Sequence, residues 1–174
     1  MPTPERTSLD AIVAAGQEII EADGPAGLTM QAVAERVGVR APSLYKRVRD
    51  REALRVAVAT ASVVALATRL EAARDDLSTL ARTYRAFAHA HPEGFRLMFN
   101  AAVPRETLER SAAPVIRACA TAVGEADALD AARLFTAWAT GFLQMELSGA
   151  FRLGGDVDRA FEYGLRRLLA SLAG

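Results

Sequence analysis

Apolar residues recur at three- and four-residue spacing along most of the chain, and no run alternates apolar with polar as a half-buried strand does, so the pattern predicts helices throughout. Leu9, Ile12, Val13, Ile19 and Ile20 form a stripe on a first helix from about Leu9 to Ala22, with Ser8 as its N-cap. Asp23-Gly24-Pro25-Ala26-Gly27 stops it. Thr29 caps a second helix of roughly eight residues whose inward face is Met30, Val33, Ala34 and Val37. Gly38 supplies a sharp turn, because a residue without Cβ takes positive φ at little cost. Val39 then plugs the core, Pro42 lies in the first turn of a third helix where its missing N–H is harmless, and Leu44 and Val48 face inward. Asp50 caps a fourth helix running from about Arg51 to Ala73, which joins this N-terminal module to the rest.

Asp75 and Asp76 mark the next start, and Leu77, Leu80, Tyr84, Phe87 and Ala88 repeat toward His91. Pro92 opens a short helix with Phe95, Leu97, Met98 and Phe99. Between Asn100 and Pro114 the pattern weakens, since Pro104 and Pro114 both interrupt it, and the next helix is expected from Pro114 to Val123. Ala126 to Phe151 is long and apolar on most faces. Gly154-Gly155-Asp156 separates it from a final amphipathic helix, Val157 to Leu172, with Phe161, Leu165, Leu168, Leu169 and Leu172 on one side. The expectation is an all-α fold of about nine helices, divided into an N-terminal module of residues 1–54 and a helical domain of residues 55–174.

Composition narrows the function classes. With 51% hydrophobic residues in 174, the chain can bury a real core. Lys and Arg number 21 and so do Asp and Glu, so no global polycation draws the protein to nucleic acid and any such argument must be local. Cys119 is the single cysteine, which excludes an internal disulfide and fits a reducing cytoplasm. Met1 to Thr7 lacks the apolar core of a signal peptide. Val56 to Leu70 is the most lipid-like stretch, but it is interrupted by Arg69 and falls short of the ~20 residues that span a bilayer, so it reads as a buried helix. A cytoplasmic protein without a membrane partner is expected.

Charge is concentrated in one window. Arg36, Arg40, Lys46, Arg47, Arg49 and Arg51 face only Asp50 between positions 36 and 51, a local excess of five in a neutral chain. A basic helix is often just a solvated face. Here core, turn and contact residues all fall at compatible spacing around two short helices, the layout of a DNA-reading helix-turn-helix. In that reading Arg40, Ala41, Ser43 and Lys46, on the exposed face that Pro42 opens, are placed for base edges. Arg47 and Arg51 hold the helix over phosphates, with Tyr45 and Thr29 donating hydrogen bonds to the backbone.

Gly27-Leu28-Thr29, Ala32-Val33-Ala34, Val37-Gly38-Val39, Pro42-Ser43-Leu44-Tyr45 and Arg51-Glu52-Ala53-Leu54 resemble the tetracycline-repressor (TetR) family of bacterial transcription regulators over the first third of the chain. The family commonly has an aromatic where Lys46 stands and a histidine where Arg47 stands, substitutions that bear on operator sequence. Trp138 and Gly141, followed by Glu146, Leu147, Gly149 and Phe151, are similar to a TetR subgroup with a Trp and a His-Gly pair, although Thr140 takes the histidine place and the Trp spacing differs. The resemblance implies a DNA-binding domain at 1–54, a ligand-binding and dimerising domain at 55–174, and a cytoplasmic homodimer on a double-stranded operator. A pairing surface is expected at Phe151, Phe161, Leu165, Leu168, Leu169 and Leu172.

Other chemistry is sparse. His89 and His91 are two apart on a helix and point away from each other, so no metal and no cofactor is expected. Cys119 among small apolar residues reads as a core thiol, with redox sensing as its alternative. Gly154-Gly155 lacks the strand-turn-helix setting of a phosphate loop and reads as a turn. Tyr84, Phe87, His91, Phe95, Met98, Phe99, Trp138, Phe142 and Met145 admit two readings, a pocket for a small apolar or amphipathic effector or ordinary core. The expected function is a homodimeric repressor released by such an effector. A ligand-independent or activating regulator is the alternative, and a helical enzyme or carrier, lacking any nucleophile–base pair, the remote one.

Overall fold

The computed structural model describes residues 8–73 and 76–172. Nine helices and no strand occur among them: α1 (Leu9–Gly27), α2 (Met30–Val37), α3 (Ala41–Leu44), α4 (Arg51–Ala72), α5 (Leu77–Ala90), α6 (Pro92–Met98), α7 (Arg105–Val123), α8 (Ala128–Leu147) and α9 (Val157–Leu172). The all-α expectation holds. The leader reading of Met1 to Thr7 and the start signal at Asp75 lie outside the described residues.

Among the described residues two compact units form, one from the residues up to Ala65 with His91–Thr107, the other from Leu66–Ala90 with the residues from Leu108 onward. In the first, the Ser8 hydroxyl accepts from Ala11 N at 3.2 Å and starts α1. Its helical geometry breaks at Gly24 (φ 71°, ψ 179°), within the segment expected to end it, and one short turn follows to Gly27. Ile12, Ile19 and Ile20 are buried as expected, whereas Leu9 is exposed and Val13 half-buried, because the buried face runs through Ile12, Ala15, Gly16, Ile19 and Ile20 and these two flank it. Their partners are Val33 and Ala34 of α2, Leu44, and Leu54 and Val58 of α4.

Helix α6 joins this same core. It packs against α1 and inserts Leu97 among the residues just named. Both of its ends are tied down: the Glu21 carboxylate accepts the N–H groups of Glu93 and Gly94, and Arg55 Nη2 donates to Asn100 O at 2.8 Å. A carboxylate at the N-terminal end and a guanidinium at the C-terminal end complement the helix dipole. Neither partner is near α6 in sequence, so periodicity gave no sign of the docking.

Helix α4 is long and apolar enough to cross a membrane by length and composition alone. Its Leu54, Val58, Ala59, Val63, Leu66 and Leu70 are buried against protein, which accounts for its hydropathy.

In the second unit α5 packs on α8 and α9. The Arg85 guanidinium on α5 bonds Glu146 of α8 and Asp158 at the start of α9, and lies over the Phe161 ring at 4.7 Å. Helix α7 corrects the expected break at Pro114, since it runs unbroken from Arg105. Pro104 precedes the helix, where its carbonyl accepts from Thr107 N at 3.0 Å. Pro114 forfeits one intrahelical bond, offset by burial of its own ring with Val115, Ala118 and Cys119. Burial also pushes the Cys119 thiol pKa up. Helix α8 is shorter than the apolar run suggested, ending at Ser148 before Gly149.

Candidate nucleic-acid interface

The geometry of the basic window follows from three local devices. The Thr29 hydroxyl accepts from Ala32 N at 3.0 Å and fixes the start of α2, keeping its own proton free to donate outward. Gly38 adopts the left-handed conformation (φ 75°, ψ 38°) that a side chain would strain. There Gly38 N donates to Glu35 O and Val39 N to Ala34 O at 2.9 Å, the paired bonds of a Schellman ending. The chain reverses, and Arg40 opens α3 with Pro42 in its first turn.

Helix α3 is a single turn, continued by a bond from Val48 N to Leu44 O at 2.9 Å. Leu44 and Val48 are its anchor, at 0% and 4% exposure. With that face fixed in the core, Arg40, Pro42, Tyr45, Lys46 and Arg47 are exposed, and Ala41 and Ser43 are half-buried beside them. Of the nine expected contact residues, five are therefore exposed and two half-buried along the α3 segment, and Thr29 stands at the N-terminus of the neighbouring α2.

The cations divide by what holds them. Arg36 pairs with Glu18 of α1 at 2.8 Å, and Arg49 with Asp50 at 2.7 Å. The Asp50 carboxylate also accepts from Ala53 N at 2.8 Å, capping α4 as expected; that bond, then the one from Arg49, lowers its pKa below the ordinary value. Arg51, expected on phosphate, is turned the other way: its Nε donates to Leu28 O at 2.7 Å and its Nη2 to Pro25 O at 3.1 Å. Arg40, Lys46 and Arg47, by contrast, are exposed along the α3 segment itself.

The residues expected at a pocket divide between the two units. His91, Phe95, Met98 and Phe99 belong to the first unit, where Phe95 meets Phe99 edge-on at 5.3 Å. Tyr84, Phe87, Trp138, Phe142 and Met145 belong to the second. Trp138 stacks on Phe161 at 5.3 Å, Phe142 meets Phe161 edge-on and contacts Phe151 at 4.9 Å, so these rings are spent joining α8 to α9. Tyr84 bonds Thr140 through its hydroxyl at 3.0 Å, and burial pushes its pKa up to about 12. Phe87 is buried under the Arg69 guanidinium, while Met145 is exposed.

Of the expected pairing residues, Phe161 and Leu165 are 0% and 1% exposed within the single chain, which takes them off any outward face. Phe151 is exposed, and Leu168, Leu169 and Leu172 are half-buried. A second apolar row, Leu134, Ala137, Gly141 and Met145, is exposed at helical spacing on α8, where the sequence singled out only Gly141, for the subgroup likeness, and Met145, for a pocket. A Cβ at Gly141 would meet nothing within 4 Å. The signal was present in the sequence but indistinguishable from the core positions around it.

Two family models match the chain, one described as bacterial regulatory proteins, tetR family, over residues 12–58, the other as tetracyclin repressor-like, C-terminal domain, over residues 77–168. An uncharacterized HTH-type transcriptional regulator of Mycobacterium tuberculosis is 31% identical over 97% of this chain and 83% of its own. A solved protein of unknown function from Rhodococcus sp. RHA1 superposes with a TM-score of 0.81 at 26% identity, covering 100% of both chains. A TetR variant from Acinetobacter baumannii, solved in complex with minocycline, has a TM-score of 0.70 at 25% identity, covering 93% of this chain and 94% of that one.

Proposed function

The chain belongs to the tetR family of bacterial regulatory proteins, a transcriptional regulator and not an enzyme, and on that premise we propose that it is a cytoplasmic homodimeric repressor released from its operator by a small-molecule effector. The observation that carries this reading is the orientation of α3: Leu44 and Val48 lock one side into the core while Arg40, Pro42 and Lys46 are exposed. Arg40, Ala41, Ser43 and Lys46 read base edges in the major groove, Pro42 sets their backbone, and Thr29, Tyr45 and Arg47 hold phosphates.

Residues 1–54 carry this DNA-binding role and residues 55–174 the pairing and effector roles. Two copies pair through α8 and α9 as an isologous four-helix contact. The row Leu134, Ala137, Gly141 and Met145 supports this, because it is apolar, exposed and small enough at its centre to admit a neighbouring helix closely. Phe151, Leu168, Leu169 and Leu172 extend the same contact. Pairing sets two α3 helices in successive major grooves, roughly 34 to 36 Å apart, on a near-palindromic duplex.

The bound minocycline of the Acinetobacter relative supports a small-molecule effector as the signal. Near-complete release needs the effector to favour the non-binding state by about 5.5 kcal/mol. Selection from a randomised duplex pool with the wild-type protein tests the reading: enrichment of a near-palindrome is expected, and a pool that stays random contradicts it.

A further inference from the structure

We infer that Arg51 is a positioning residue of the DNA-binding surface and not one of its phosphate contacts. The inference rests on the DNA-binding reading of α3 and adds to it a division of labour among the cations.

Helix α1 ends with no basic residue in its last turn, so its final carbonyls and the negative end of its dipole have no local cation. Arg51 supplies one from 23 residues away in sequence, at the first position of α4. Nε donates to Leu28 O at 2.7 Å, Nη2 to Pro25 O at 3.1 Å, and Ala26 O lies 3.5 Å from Nη2, at the edge of hydrogen-bonding range. Two of the three guanidinium nitrogens are therefore engaged with backbone. Leu28 is the residue immediately before Thr29, and its side chain is fully buried. Fixing its peptide fixes the N-cap of α2, the point at which the hydroxyl and N-terminal N–H groups face a phosphate.

Lysine could not replace this device. A single ammonium cannot keep the spread of an Arg Nε and Nη2 on two carbonyls, whereas for a phosphate held as a point charge the exchange is mild. The two roles therefore separate experimentally. A cation on phosphate releases counterions, so its removal flattens the dependence of log K on log salt by about one unit. A cation on the protein's own carbonyls releases none on binding.

The test measures affinity for the duplex recovered by selection with wild-type protein, between roughly 50 and 200 mM salt, for wild type, Arg51→Ala, Arg51→Lys and Arg47→Ala. The folded fraction is fixed by circular dichroism and stoichiometric titration. Both Arg51 variants are expected to bind more weakly by on the order of tenfold with the wild-type salt slope, while Arg47→Ala flattens the slope by about one. A flattened slope in Arg51→Ala, wild-type affinity in Arg51→Lys, or wild-type affinity of the folded fraction in both variants would each overturn the inference. Should Arg51→Ala not fold, Arg51→Lys carries the same comparison. A wild-type protein that selects no duplex removes the DNA-binding premise itself and the inference with it, a result distinct from any change of slope.

Discussion

The Glu21 carboxylate on α1 accepts the backbone N–H of Gly94 at 2.8 Å, at the first turn of α6. Glu93 N donates to the same carboxylate at 3.1 Å, and a Cβ at Gly94 would lie 3.0 Å from Glu21 Oε1 and 3.1 Å from the Ser62 hydroxyl. The approach is closed by a missing side chain as much as by the bonds. Glu21→Ala leaves two N–H groups without their carboxylate and is expected to lower stability by about 1 to 3 kcal/mol in urea unfolding. Unchanged stability would show the contact to be dispensable.

Gly164 plays the corresponding part in the second unit. Its Cβ would fall 2.8 Å from Cζ2 of Trp138, the chain's only tryptophan. Alanine gains about 1 kcal/mol of helix propensity over glycine, but overpacking costs about 1 to 3 kcal/mol. Gly164→Ala is expected to be less stable than wild type and to move the Trp138 emission. A more stable protein with unaltered emission would contradict this packing.

Acid stability tests the Arg85 network. Burial acts to raise the Glu146 carboxyl, but hydrogen bonds from Arg85 and His89 outweigh it and hold its pKa below the ordinary 4.5. A carboxyl whose folded pKa is depressed contributes stability above its unfolded value, and that stability is lost as pH falls through the folded pKa. Stability should therefore decline with acid from about pH 4.5 downward, and less steeply in Glu146→Gln. Superimposable acid limbs for the two proteins would argue against the network.

The proposed pairing face separates from the core by mutation. Gly141→Glu adds charge where a Cβ meets nothing within 4 Å, so the fold should survive and the protein should sediment as a monomer of about 18.6 kDa. Leu165→Glu, at a position 1% exposed, should instead lose helical content. A persistent Gly141→Glu dimer moves the interface elsewhere.

How far the sequence carried depended on whether a feature was local. Thr29, Gly38 and Asp50 act on neighbours within five residues, so caps and turn were legible from residue type and spacing, and α3 with them. Pro114 misled because local propensity was outweighed by burial of the turn around it. Arg51 and Glu21 were illegible for a different reason: their partners lie 23 and 73 residues away, and a charge count cannot tell an arginine on carbonyls from one facing solvent. The aromatic rings showed the same limit, since Trp138 and Phe142 have one pattern whether they line a cavity or stack on Phe161.

The most direct test of the DNA-reading role of α3 is a gel shift with the selected duplex, comparing wild type with the double variant Lys46→Ala/Arg47→Ala. Both side chains are exposed and leave the Leu44 and Val48 anchor intact, so helicity and sedimentation should match wild type. Loss of the shifted band in the double variant is the expected result. A shift at wild-type affinity would contradict the assignment of α3 as the helix that reads DNA.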